Sequence, residues 1–97
     1  MEFVIEKTKA FDKWLKNMKD RQGMLAILKR LNRVQLGNFG DYKSVGGGVS
    51  EMRVDHGPGY RLYYTIRENK IVFMLYGGHK KSQKNDIKKS KDMAKNI

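Results

Sequence analysis

The sequence predicts an α+β fold in which an antiparallel sheet carries a helical hairpin on one face and is followed by a C-terminal helix. Three observations support this prediction: apolar residues at helical spacing near the N-terminus, four strand-like runs between residues 41 and 76, and glycine-rich turns between the runs. A chain of 97 residues has room for one core and not for two, so residues 1–97 are expected to form a single domain.

The N-terminal part is expected to form a short strand and then the hairpin. Glu2 to Lys7 alternates in the manner of a strand, with apolar residues on both faces. Apolar residues at i, i+3, i+4 and i+7 then predict a helix over Lys9 to Lys19. Asp20 is suited to cap a second helix and Gly37 to end it. The apolar stripe of this hairpin is expected to pack on the inward face of the sheet.

The strand-like runs predict an antiparallel meander because short turns separate them. They cover Asp41 to Val45, Val49 to Asp55, Tyr60 to Arg67 and Ile71 to Tyr76. Side chains alternate between the faces of a strand, so Arg53, Arg61 and Tyr63 are expected to share the outer face. The last run is apolar throughout, which indicates a strand covered on both faces. The region around the two arginines is expected to be an open, cationic and aromatic surface.

The segment after the glycines at 77 and 78 predicts a final helix that begins near Ser82. Its apolar anchors are Ile87, Met93 or Ala94, and Ile97. Seven lysines lie between residues 80 and 95, so this helix is expected either to be a solvated tail or to contact a polyanion.

The charge of the chain points to an anionic partner. There are 21 Lys and Arg residues against 10 Asp and Glu residues, a formal net charge of +11. Residues 1–37 carry 9 cations and 4 anions, and residues 79–97 carry 7 and 2, so the excess lies in the two terminal parts. Such an excess favours polyanions through phosphate neutralisation and counterion release. Nucleic acid is the first expectation for the partner and an acidic protein the second.

Composition and motifs argue against several other classes. There is no cysteine, and the two histidines have no clustered carboxylates beside them, so neither a metal nor another cofactor is expected. The triple glycine at 46–48 is not followed by Gly-Lys-Ser/Thr and is interpreted as a turn. The longest apolar run, 71–76, is far too short to cross a bilayer, and the N-terminus does not resemble a secretory signal. A cytoplasmic protein without membrane contact is expected.

The cationic, tyrosine and histidine side chains suit chemistry on a phosphodiester. RNA cleavage without a metal needs a base for the 2′-hydroxyl, cations for the charge on phosphorus and an acid for the departing 5′-oxygen. Arg53 and Arg61 are suited to clamp the phosphate. Lys80 or Lys81 is a candidate for exchanging a proton, and His79 is the conventional proton carrier. Each of these also has a plainer interpretation as an exposed strand or turn residue.

Several motifs together resemble one known family over nearly the whole chain. They are Gly37-Asn38-Phe39-Gly40-Asp41-Tyr42-Lys43, Glu51-x-Arg53, Gly57-Pro58-Gly59-Tyr60-Arg61-x-Tyr63 and Gly77-Gly78-x-Lys80-x-x-Gln83. This combination resembles the addiction-module killer proteins, the HigB-like members of the RelE/ParE toxin superfamily. The resemblance implies a compact α+β domain whose active cleft lies on the sheet face opposite the hairpin.

The resemblance also implies a function. RelE-like and HigB-like toxins of type II toxin–antitoxin systems cut mRNA on the ribosome without a metal, and this activity is expected first. ParE-like members instead inhibit DNA gyrase, and a plain RNA-binding module without catalysis is a further possibility. The resemblance implies a cognate antitoxin, expected to be a helix-turn-helix, HigA-like protein, and contact with operator DNA only through that antitoxin.

The resemblance assigns residues by position. Arg53, Arg61 and Lys80 match cationic positions of the family, and His79 is expected to join them in catalysis. RelE itself has a catalytic tyrosine in its C-terminal segment, but residues 82–97 contain none, so His79 replaces it or the acid and base roles differ. The expected RNA contacts are Lys43, Tyr63, Lys81, Gln83 and Lys84.

Overall fold

The computed structural model describes residues 2–97 as three helices and five strands. In chain order these are β1 (Val4–Lys7), α1 (Lys9–Lys16), α2 (Arg21–Gln35), β2 (Tyr42–Gly46), β3 (Val49–Val54), β4 (Tyr60–Arg67), β5 (Ile71–His79), a 3₁₀ turn (Lys80–Ser82) and α3 (Gln83–Ala94). The predicted α+β class, the helical hairpin and the C-terminal helix are confirmed. Within residues 2–97, no helix is long and apolar enough to span a bilayer.

The five strands form one mixed sheet in the order β1-β5-β4-β3-β2. The pairs β2–β3, β3–β4 and β4–β5 are antiparallel, as the meander predicted. The expectation of a wholly antiparallel sheet is wrong at one edge, because β1 pairs parallel with β5. Consecutive strands are forced into antiparallel pairing by their short turns, whereas β1 reaches β5 across the rest of the chain and no turn fixes its direction.

Local capping explains where the hairpin helices begin and end. The Thr8 hydroxyl accepts a hydrogen bond from the backbone N–H three residues on, at 3.0 Å, and Asp20 caps α2 in the same way at 3.0 Å. The first helix ends at Lys16, three residues before the predicted end, because the chain must turn extended at Asp20 to cap the second helix. Gly37 follows α2 with φ of +89°, the left-handed conformation that ends many helices.

The hairpin packs on one face of the sheet and forms the larger core, as predicted. The buried helix residues are Phe11, Leu15, Ile27, Leu31 and Val34. They meet Met52, Val54, Tyr60, Leu62, Tyr64, Val72 and Met74 from the strands. The period-two alternation of β3 and the first half of β4 therefore assigned the inward side chains correctly.

The other face of the sheet is not open, and the expectation of an open outer face is wrong. Helix α3 covers this face, and its Ala94 forms a second core with Val49, Tyr63 and Leu75 of the strands. The predicted anchors Ile87, Met93 and Ala94 pack there, while Ile97 remains 43% exposed. Ser90 is fully buried as well, and its hydroxyl is satisfied there by donating to the carbonyl of Asp86 at 2.7 Å. The stripe that α3 buries is thus partly polar, which is why the helix looked weakly amphipathic in the sequence.

Two glycines at the end of β5 let both helical layers approach the strand. A Cβ at Gly77 would overlap the ring of Trp14 on α1, and a Cβ at Gly78 would overlap the carboxylate of Asp86 on α3. The two residues face opposite sides of the sheet, as neighbours on a strand do. Side chains here would push the helices off the sheet on both faces.

We expect Gly77→Ala to lower the free energy of unfolding by about 1–3 kcal/mol, because the added methyl group forces Trp14 out of its packing position. Urea denaturation followed by far-UV circular dichroism measures this loss in every variant, including those that lack the single tryptophan. The matched control is the double variant Gly77→Ala/Trp14→Leu, whose loss should be smaller than the sum of the two single losses. Additive losses would show that the methyl group is accommodated elsewhere.

Candidate functional site

A cationic cleft lies where β3, β4 and the end of β5 meet. It encloses about 290 Å³ and is lined by Asp41, Arg53, Val54, Asp55, Gly59, Arg61 and Lys80. Arg53 and Arg61 are direct partners in the antiparallel β3–β4 pair, so their side chains leave the same face of the sheet. Lys80 follows β5, and it comes close because Gly78 is the β5 partner of Arg61. The structure therefore brings together three of the four residues assigned to catalysis.

The electrostatics of the cleft depend on a carboxylate behind it. Two like charges directly opposite each other on neighbouring strands repel, so Arg53 and Arg61 need compensation. Glu51 supplies it: this side chain is fully buried, and its Oε1 accepts a hydrogen bond from Arg53 Nε at 3.3 Å. The exposed residues Asp41 and Asp55 line the cleft itself, so both signs of charge are present in it. Glu51 and Asp41 belong to motifs that carry the family resemblance, but sequence analysis assigned no role in the site to them or to Asp55.

Gln83 was expected to contact RNA, but its side chain is bonded within the protein. Its side-chain amide donates to the second oxygen of Glu51, Oε2, at 2.7 Å. Gln83 is the first residue of α3, so this bond ties the start of the helix to the middle of β3. Its observed role is internal.

Tyr63 was expected to contact RNA from an open face, and that expectation is wrong. The side chain is fully buried in the second core. Burial raises the pKa of Tyr63 well above its usual range; the nearby charges of Glu51 and Asp86 add to this shift, and Arg61 opposes it. Within residues 2–97 neither the Tyr63 hydroxyl nor the buried Nε of Arg61 has a hydrogen-bond partner.

His79 is not brought to the cleft. Gly78 faces α3, so the next residue along the strand points to the opposite side, towards the hairpin. Consistent with this, His79 pairs with Tyr60, whose ring belongs to the hairpin core, and it is absent from the cleft lining. Its Nδ1 is buried and has no hydrogen-bond partner in the described part of the chain. The placement gives no support to a proton-transfer role for His79.

The remaining lysines assigned to RNA lie around the cleft. Lys43 is exposed on the edge strand β2, directly opposite Glu51, and so shares the face of the two arginines. Lys81 is exposed in the 3₁₀ turn, and Lys84 is exposed in the first turn of α3. None of the three lines the cleft. They extend the positive surface on two sides of it.

Arg30 on α2 supports the cleft from the hairpin side. Its Nη2 donates to the backbone carbonyl of Arg53 at 2.7 Å, and its Nη1 donates to the carbonyl of Phe39 at 3.4 Å. Burial is the largest of the effects that lower the pKa of Arg30. Sequence reasoning missed this residue, because its spacing placed it simply on the polar side of an amphipathic helix.

The turn between β3 and β4 is held to the hairpin by a hydrogen bond. The hydroxyl of Tyr60 donates to Oδ2 of Asp20 at 2.7 Å, and His56 Nε2 lies 3.8 Å from the same oxygen. Burial and the bond to Asp20 raise the pKa of Tyr60 to about 12. The pKa of Asp20 is lowered, first by the backbone N–H of Gly23 and then by Tyr60. This contact fixes the strand end that carries Arg61.

Comparison with known proteins places the chain in a family. Residues 13–97 match the family described as phage-derived protein Gp49-like. The chain belongs to this family. It is also 41% identical, over 97 residues, to an uncharacterised protein of Haemophilus influenzae, with 100% of this chain and 98% of that protein covered.

Two solved structures, one of a toxin–antitoxin complex and one of a toxin, show the same fold. One is the RelBE2 toxin–antitoxin complex of Mycobacterium tuberculosis, with a TM-score of 0.65 and 19% identity, covering 82% of this chain and 100% of the matched one. The other is a doubly substituted variant of the Escherichia coli toxin RelE in the free state, with a TM-score of 0.67 and 18% identity, covering 91% and 97%. The Gp49-like member described here thus has the same fold as these RelE structures, which is the fold that the resemblance of its motifs implied.

Among residues 2–97 there is no group of three or more histidine, cysteine or acidic side chains placed to hold a metal ion. The cleft lining contains three groups of the kinds that serve as general acids or bases, namely Lys80, Asp41 and Asp55.

We expect Tyr60→Phe to destabilise the protein at neutral pH, because Asp20 loses a hydrogen-bond donor to its charged form. The pKa of Asp20 is lower in the folded than in the unfolded chain, so this stabilisation is present above about pH 4 and is lost as the pH falls through the folded pKa. Thermal unfolding of both proteins from pH 7 to pH 3 measures it. The difference between wild type and variant should shrink on acidification; a constant difference would assign the effect to packing alone.

Proposed function

We propose that this protein is the toxin of a type II toxin–antitoxin system and acts as a metal-independent endonuclease on mRNA in the translating ribosome. The observation that carries the proposal is the convergence of Arg53, Arg61 and Lys80 on one cleft of a RelE-type fold. Such a cluster of cations has two roles in cleavage of a phosphodiester. It binds the anion, and it stabilises the extra charge that develops on phosphorus in the transition state.

The proposed reaction is attack by the 2′-hydroxyl on the adjacent phosphorus, with departure of the 5′-oxygen, which leaves a 2′,3′-cyclic phosphate and a 5′-hydroxyl. Arg53 and Arg61 hold the non-bridging oxygens and stabilise the transition state. A carboxylate of the cleft lining, Asp41 or Asp55, takes the proton from the 2′-hydroxyl, and Lys80 donates one to the leaving oxygen. This assignment replaces His79, which faces the other side of the sheet.

RNA binding is proposed to use the positive surface around the cleft. Lys43 lies on one side, and Lys81 and Lys84 lie on the other, all with exposed side chains. These lysines would contact backbone phosphates of mRNA or of ribosomal RNA, where each contact releases counterions and fixes position without reading the bases.

A cognate antitoxin is proposed as the protein partner, by analogy with the toxin–antitoxin complex that shares the fold. The net charge of +11 predicts an acidic toxin-binding segment in that partner. We further propose a helix-turn-helix, HigA-like antitoxin, contact with operator DNA only through it, and action in the cytoplasm, where ribosomes translate.

We expect Arg53→Ala and Arg61→Ala each to reduce mRNA cleavage by about 10²–10³-fold, because each removes a donor that stabilises the transition state. Induced expression followed by mapping of transcript 5′ ends, with and without translating ribosomes, measures the effect in cells. Lys29→Ala is the control, since it removes the same charge from an exposed position on α2.

Full cleavage by both folded arginine variants would refute the site. An SOS response with gyrase-linked DNA breaks and uncut transcripts would instead assign the protein to the gyrase inhibitors. RNA binding without any cleavage or toxicity would leave a binding module.

We expect Asp41→Asn and Asp55→Asn to separate binding from chemistry. Each substitution makes the cleft more positive and should tighten binding of a 2′-deoxy substrate analogue that cannot be cleaved. The variant that removes the base should also lower kcat by about 10²-fold or more and abolish the acid limb of the pH–rate profile. If both variants keep full kcat, the base is not a carboxylate of this cleft.

A further inference from the structure

Glu51 is the most enclosed charged side chain next to the cleft. It lies in the middle of β3, its exposed fraction is 0%, and it is not among the residues that line the cleft. A buried carboxylate is costly unless its oxygens are paired, so its surroundings show what it is used for. Both oxygens are used, and each leads to a different part of the candidate site.

The first oxygen controls the direction of an arginine. Oε1 accepts the hydrogen bond from Arg53 Nε at 3.3 Å, and the Arg53 side chain is 39% exposed. An arginine carries five N–H donors, and this bond uses the one nearest the chain. The four N–H groups of the two terminal nitrogens stay available for an anion in the cleft. Without the bond, repulsion from Arg61 on the opposite strand would favour rotamers that point into solvent.

The second oxygen controls the segment that carries the lysine. Oε2 accepts the hydrogen bond from Gln83 Nε2 at 2.7 Å. Gln83 begins α3 directly after the 3₁₀ turn that starts with Lys80. Ser82 is the last residue of that turn. Its hydroxyl donates to the carboxylate of Asp86 on α3 at 2.5 Å, and both groups lie next to Gly78 of β5. This second bond also holds the turn to α3. Strand β5 fixes one end of the turn that begins with Lys80, and the bond between Glu51 and Gln83 holds the other end against β3.

We propose that Glu51 is the positioning residue of the cleft, because one buried carboxylate sets the distance between Arg53 and Lys80. This inference rests on the proposed function, since it concerns the phosphate-binding cations of the same site. Glu51 does not touch the substrate. It acts by orienting Arg53 through Oε1 and by seating the start of α3 through Oε2.

The alternative is that Glu51 merely fills the core, and the two roles predict different results for an apolar replacement. Removing one partner of a buried ion pair is strongly destabilising where the other charge stays buried. The Arg53 side chain is 39% exposed, so water can solvate its guanidinium in Glu51→Leu. This variant should therefore keep the fold while it releases both Arg53 and Gln83. Glu51→Gln is the conservative variant, because its oxygen can still accept from Arg53 while its amide donates to a rotated Gln83.

The experiment combines a spectroscopic and a kinetic measurement on the full chain. The Nε–Hε signal of Arg53 in ¹H–¹⁵N spectra reports whether that proton is hydrogen-bonded and protected from exchange. Cleavage of mRNA on translating ribosomes gives kcat and KM. Thr65→Val is the matched control, since it removes a buried hydroxyl that donates to the carbonyl of Gly48 at 2.7 Å, away from the cleft.

We expect Glu51→Leu to abolish protection of the Arg53 Nε–Hε proton and to lower kcat on the order of 10²-fold, with a smaller change in KM. Glu51→Gln should recover most of both, and Thr65→Val should change neither.

Retained Nε–Hε protection in Glu51→Leu would overturn the inference, as would kcat equal to that of the control. Should Glu51→Leu fail to fold, Glu51→Gln decides: changes of Nε–Hε protection and kcat in the same proportion support positioning, and loss of kcat with an unchanged signal, or loss of the signal with unchanged kcat, refutes it. If the wild type cleaves no RNA, the proposed function fails, while the Arg53 signal still decides whether Glu51 orients it.

Discussion

Two arginines face each other across neighbouring strands and repel each other, and a buried carboxylate compensates part of this repulsion. Arg53 and Arg61 are direct partners in the β3–β4 pair. A buried carboxylate, Glu51, bonds one of them from behind, and Arg30 bonds the backbone of Arg53 from the hairpin side. On the proposed function, the phosphate of the substrate lies between the two guanidinium groups and offsets the repulsion that remains between them in the free protein.

The cleft lies at the end of the sheet because both faces are covered elsewhere. The hairpin covers one face and α3 the other, and each packs against the glycines at the end of β5. Helix α3 begins only after the 3₁₀ turn at Lys80–Ser82, so the arginine pair near the strand ends stays outside its cover. The same arrangement brings Lys80 to the arginines. The 3₁₀ turn supplies Lys80 to the cleft, and α3, which follows it directly, closes the second core; the packing of α3 is therefore linked to the geometry of the cleft.

Hydrophobic periodicity predicted the parts of the fold that depend on local pattern. The hairpin and the alternation in β3 follow from spacing, and the ends of α2 at Asp20 and Gly37 follow from residue type. The motif resemblance singled out Arg53, Arg61 and Lys80. The parallel edge strand, the buried stripe of α3 and the role of Glu51 depend on contacts distant in sequence. Asp86 and Ser90 do not look like core residues, because the hydrogen bonds that make their burial possible exist only in the folded chain. The direction of His79 was decided by which glycine faces which helix, and no pattern in the sequence encodes that choice.

Most of the net charge lies outside the cleft, so long-range attraction and local contacts in the cleft depend on different groups. Most of the net +11 belongs to residues 1–37 and 79–97, so the long-range field comes from the helices rather than from the cleft. Inside the cleft, Asp41 and Asp55 offset part of the charge of Arg53, Arg61 and Lys80. Attraction of a polyanion therefore does not depend on the reacting groups, and these groups can be arranged for proton transfer and transition-state charge. A cleft with cations alone would bind a phosphate strongly in its ground state, whereas catalysis needs the interaction to strengthen as charge develops. Under the proposed function, mixed charge in the cleft within a positive surface suits an enzyme that acts on nucleic acid better than a simple phosphate binder.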